Sequence, residues 1–89
     1  MLYVTLKEVQ ETLPDYQVYA FKMKFNAELD TYHVELWTNH PVGLHDKYEF
    51  SFDIHLALAK STAHLLDSIR DGADRIIAFH KENTWKKLV

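Results

Sequence analysis

Eighty-nine residues, 47% hydrophobic and 26% charged, make a chain long enough for one domain with a modest core and too apolar to stay disordered. It contains no cysteine, which excludes a disulfide scaffold, a thiol nucleophile and any cysteine-ligated zinc or iron–sulfur centre. The net charge of −3 is uneven, with four Lys against nine acids in residues 1–53 and six Lys or Arg against four acids in residues 54–89, and no basic stripe of the kind that grips phosphates is visible.

No apolar run approaches the roughly 20 residues of a membrane span, and no basic segment followed by an apolar one opens the chain. A soluble cytoplasmic protein with no membrane association is the expectation. Thr5-Leu6-Lys7-Glu8 then has the form of a capping box, in which Thr5 and Glu8 satisfy each other's amides. Val4 and Val9 are placed to form the matching hydrophobic staple. Leu6, Val9 and Leu13 share a face and Pro14-Asp15 ends the run, so the spacing predicts a short helix over about 6–13.

Residues 16–25 alternate. Tyr19, Phe21, Met23 and Phe25 fall on one face, and Val18, Ala20, Lys22 and Lys24 on the other. After a polar link of hairpin length, residues 31–38 alternate again, with Tyr32, Val34 and Leu36 inward and His33, Glu35 and Trp37 outward. Residues 47–53 repeat the pattern: Tyr48, Phe50 and Phe52 inward, Glu49, Ser51 and Asp53 outward. Three such runs predict an antiparallel meander with one apolar face.

From Ile54 to about Glu82 one apolar stripe keeps helical register, with Leu58, Leu65, Ile69, Ala73 and Ile77 among its members. Asp53 stands where an N-cap belongs. The register passes through Gly72 without a phase change, so one continuous or gently kinked helix of roughly 42 Å is expected. The predicted fold is therefore α+β, a single domain over residues 1–89: a short N-terminal helix, a three-stranded meander and a long C-terminal helix packed on one sheet face.

This α-β-β-β-α order is shared by double-stranded-RNA-binding domains, whose second helix opens on a basic Lys-Lys-x-Ala-Lys cluster. Here the corresponding run, Ile54-His55-Leu56-Ala57-Leu58-Ala59-Lys60, carries one Lys, so the similarity is one of topology. A nucleic-acid-binding domain using Lys22, Lys24 and the tail lysines Lys81, Lys86 and Lys87 is the alternative reading of function.

Of the six histidines, only His40 and His45, with Asp46, lie close enough in sequence to converge on a metal. Metal-dependent activity in that loop is a third reading; solvated loop histidines are the simpler account, and no metal or cofactor is expected. His33 falls opposite Asp53 if the strands pair tightly, which is an ordinary cross-strand pair. Ser51, Ser61 and Ser68 lack a nucleophile motif, Asp71 and Arg75 form an i,i+4 pair, and no catalytic residue is assigned.

Trp37 projects from the uncovered sheet face with Val18 and Ala20 beside it, as an interface anchor would. A 42 Å helix on strands of roughly 26 Å should also overhang the sheet and expose Ile76, Ile77 and Phe79. The expected function is a non-enzymatic protein–protein interaction domain with Trp37, Val18, Ala20, Ile76 and Phe79 as partner-binding residues. The expected partner is a protein, and specifically a second copy of the chain in a homodimer.

Overall fold

A computed structural model describes the backbone of residues 2–39 and 48–88 and the side chains of residues 2–39 and 49–79. Helix α1 spans Leu6–Thr12. Its capping box is complete: Thr5 Oγ1 accepts the Glu8 amide at 3.1 Å, and Glu8 Oε1 accepts the Thr5 amide at 2.9 Å. Val4 and Val9 are both buried, as the staple requires. A 3-10 turn over Pro14–Tyr16 and a left-handed Gln17 (φ 50°) lead into the sheet.

Strands β1 (Val18–Asn26), β2 (Thr31–Thr38) and β3 (Tyr48–His55) form one antiparallel sheet in the order β1-β2-β3. Phe21, Met23 and Phe25 pair with Leu36, Val34 and Tyr32, which in turn pair with Phe50, Phe52 and Ile54. The meander and its apolar face follow the alternation.

Two placements differ from the expectation. A bulge between Val18 and Ala20 pairs Val18 with the buried Thr38 and Ala20 with Trp37, which turns Val18 onto the core face. Val18 is therefore buried rather than beside Trp37, and Tyr19, expected inward, is 47% exposed. The long helix also starts later than Ile54. Asp53 stays in the strand, where its carboxylate meets His33, and so does not cap a helix. The chain passes through a 3-10 turn over Leu56–Leu58 before α2 begins at Thr62, where Ser61 Oγ accepts the His64 amide at 3.1 Å.

Helix α2 runs unbroken from Thr62 to Leu88 through Gly72, about 40 Å at 1.5 Å per residue. Leu65, Ile69, Ala73 and Ile77, spaced four apart, are its buried row. Leu58, assigned to that row from the sequence, instead sits in the 3-10 turn and is 52% exposed. Ile77 is only 7% exposed because Leu13 and Tyr16 reach across from the α1 segment to the same part of α2. The Tyr16 hydroxyl donates to Asp74 there, and burial beside that carboxylate pushes its pKa well up. Among the described residues no helix is long and apolar enough to cross a membrane.

Candidate functional site

The expected binding residues do not form one surface. Trp37 is half-buried on the sheet face opposite the helices, between Ala20 on β1 and Glu49 on β3, and Val18 has left that face. Ile76 is half-buried on α2, and Phe79 is 61% exposed further along it. The loop holding His40 and His45 lies outside the described residues; among the described residues no group of three or more His, Asp or Glu could hold a metal ion.

The hydrogen-bond phase of the sheet reveals a different feature. Beyond the last β2–β3 pair the Leu56 amide donates to the Asp30 carbonyl at 2.8 Å, and at the other end of β2 the Asn39 amide donates to the Gln17 carbonyl at 3.2 Å. Antiparallel ladders alternate, so both bonds set one phase: even-numbered β2 residues bond to β3 and odd-numbered ones to β1. Phe50, Phe52 and Ile54 therefore direct their N–H and C=O groups at β2. Those of Glu49, Ser51 and Asp53 point away from the sheet along the outer edge of β3.

The two sheet edges are treated differently. On β1 the bulge breaks the ladder, Gln10 Nε2 donates to the Val18 carbonyl at 2.8 Å, and Tyr3, Val4 and Leu6 line a pocket with Phe21 and Met23. Natural sheets blunt their edges with such devices, and with Lys or Pro. β3 has an unbroken register with β2, and its eight residues include no Lys and no Pro. Among the described residues no strand pairs with its outer side.

Beside that edge a groove of about 500 Å³ runs between β3 and α2. Phe52 and Ile54 line it on the strand side, Gly72 and Ile76 on the helix side, and Leu58 at its end. Ser68 Oγ donates to the Leu58 carbonyl at 2.7 Å and ties the 3-10 turn to α2. Asp67, Asp71 and Arg75 form the polar rim, with Asp71 and Arg75 paired at 2.9 Å. At 100° per residue Phe79 is only about 20° from Gly72 around the helix, so it continues the same flank.

On the outer face His33 Nδ1 lies 2.7 Å from Asp53 Oδ1, while Ser51 Oγ and Glu35 Oε1 lie 3.2 and 3.4 Å from Nε2. The cross-strand pair inferred from the sequence is present. Its close approach follows from the phase, since His33 and Asp53 form a non-hydrogen-bonded pair, where side chains stand closest. Ser–His–Asp is also the order used for nucleophilic hydrolysis, but that chemistry needs a neutral imidazole as base. The hydrogen bond to Asp53, aided by the charges of Asp53 and Glu35, raises the His33 pKa against a smaller opposing effect of desolvation. The imidazolium so favoured lies between the Asp53 and Glu35 carboxylates.

A folded-state pKa above the unfolded one means this pairing is fully present below pH about 6.5 and is lost as pH rises through the folded value. An NMR titration should therefore place His33 above the ordinary histidine value, and Asp53→Asn should bring it down. An unchanged His33 titration in that variant would remove Asp53 as the cause. The histidine side chain is 42% exposed, so little stability rides on the pair.

Comparison with protein-family models, with curated proteins and with solved structures finds no match. The β3 edge was missed in the sequence because alternation reports which face a side chain takes, not which strand ends the sheet. Composition does not separate the strands either: Tyr48–His55 has neither Lys nor Pro, and neither has Thr31–Thr38, the central strand.

Proposed function

We propose that this chain is a non-enzymatic, cytoplasmic protein-interaction domain that accepts an extended segment as an added strand on β3. The observation that carries this reading is the phase of the ladder: Glu49, Ser51 and Asp53 present their backbone donors and acceptors outward beside an apolar groove. Strand addition draws affinity from main-chain hydrogen bonds and specificity from pockets for alternate side chains. On an added strand, side chains facing the helices would enter the groove between Phe52, Ile54, Gly72 and Ile76. The lack of cysteine suits a reducing compartment. The outer face mixes Lys22 and Lys24 with Glu35, Glu49 and Asp53, which suits a protein partner better than a phosphate backbone.

Ser51→Pro tests the reading cleanly. Its amide points to the open edge, so proline there removes a docking donor without removing a bond to β2, a setting in which edge strands tolerate proline. Peptides selected by phage display against the wild type should shift the amides of Glu49, Ser51 and Asp53 in NMR spectra and should fail to bind Ser51→Pro, whose circular dichroism stays native. Selected peptides that bind the variant equally, or that map away from β3, would sink the proposal.

A further inference from the structure

We infer that the segment β3 accepts is β3 of a second copy, related by a two-fold axis at Phe52, so that two chains share one six-stranded sheet. This rests on the strand-addition reading above and names its occupant. In a two-fold antiparallel pairing the outward-bonding residues must face outward-bonding residues; registers centred on Ser51 or Phe52 then pair seven of the eight residues of β3, while those centred on Phe50 or Asp53 pair only five. Centring on Ser51 sets Glu49 opposite the partner's Asp53, and centring on Asp53 sets two aspartates face to face. Like charges directly opposite destabilise a ladder. Centring on Phe52 sets Glu49 opposite the partner's His55 and Ser51 opposite the partner's Asp53. On the core face it sets Phe50 opposite the partner's Ile54, and Phe52 opposite its own counterpart.

The helix flank is self-complementary about the same axis. Gly72 abuts the Phe52 ring, so an axis at Phe52 passes close to Gly72. Antiparallel copies of α2 about that point bring Arg75 alongside position 69 of the partner, between the partner's Asp67 and the partner's Asp71. Each groove supplies two acids and one guanidinium on its rim and receives the same set in return. The apolar lining of one groove, Phe52, Leu58 and Ile76, faces that of the other. A stable interface needs about 800 Å² per partner, which a strand edge joined to a helix flank can approach and the Ile76–Phe79 stripe alone cannot, because Ile77 is already covered by its own chain.

The cysteine-free chain allows a direct test. Sedimentation equilibrium at micromolar concentration should give twice the 10.5 kDa chain mass for the wild type. Ser51→Pro should weaken that association by about tenfold or more. Under mild oxidation Glu49→Cys/His55→Cys should form a covalent dimer, while either single cysteine, and the pair Glu49→Cys/Asp53→Cys, should not. A wild-type monomer that still binds selected peptides through β3 would overturn the second copy and leave strand addition standing. A dimer indifferent to Ser51→Pro, with no cross-link from Glu49→Cys/His55→Cys, would overturn both. Cross-linking by Glu49→Cys/Asp53→Cys instead would overturn the register centred on Phe52.

Discussion

Phe50→Ala should lower the unfolding free energy by about 3–5 kcal/mol, and Leu65→Ala by about 2–5 kcal/mol. Both side chains are fully buried, and Phe50 sits where the sheet, the α1 segment and α2 meet. Its ring meets Tyr16 edge to face at 5.8 Å, and Tyr16 in turn donates to Asp74 on α2. Truncation thus leaves a cavity and removes an aromatic contact that helps fix α1 against the helix. Against a total stability of about 5–15 kcal/mol, a large part of the folded population is at stake. Leu58→Ala is the informative contrast. Leu58 belongs to the apolar stripe by sequence, but it is more than half exposed at the end of the groove, so its loss should cost no more than about 0.5 kcal/mol. Urea unfolding followed by circular dichroism measures all three. A Leu58→Ala midpoint displaced as far as that of Phe50→Ala would return Leu58 to the core.

The difference between Leu58 and Leu65 shows where sequence reasoning held and where it stopped. The capping box at Thr5 and Glu8 is a local device, and local geometry satisfies it as written. Leu65, Ile69, Ala73 and Ile77 obey a period that only a helix can bury on one side. Asp53, by contrast, suits both an N-cap and a strand pair. His33 across the ladder decided between them, and that partner is twenty residues away. Extending the stripe back from Leu65 to Leu58 assumed the first answer. The bulge at Val18 has no local signature: an alternating run is equally regular with or without one extra residue, and burial of Val18 against Thr38 selects the bulged form. Trp37, the residue singled out for binding, keeps its predicted face and Ala20 beside it but loses Val18 as a neighbour. Ile77 was legible as apolar and not as covered, because the covering residues, Leu13 and Tyr16, come from the far end of the chain.

Gly72→Ala should change sign with its background. In an exposed helix interior, alanine is favoured over glycine by about 1 kcal/mol. At Gly72, however, an added Cβ would lie 2.6 Å from Phe52 Cε2 and 2.8 Å from Cδ2, far inside the roughly 3.5–4.0 Å at which carbon atoms pack. Overpacking of this kind costs about 1–3 kcal/mol, so the net effect in the wild type should be a loss near 1 kcal/mol. The Phe52 ring is half-buried, and its route of escape is outward into the groove beside β3. Gly72→Ala should therefore weaken docking on the β3 edge more than it weakens the fold. With the ring removed in Phe52→Ala, the same substitution should stabilise by up to about 1 kcal/mol, because only the helix preference is left. Four denaturation curves, for the wild type, each single variant and the double variant, close the cycle. If Gly72→Ala stabilises the wild type as much as it stabilises Phe52→Ala, the ring is not wedged against the helix, and the axis through Phe52 and Gly72 loses its close helix–strand contact.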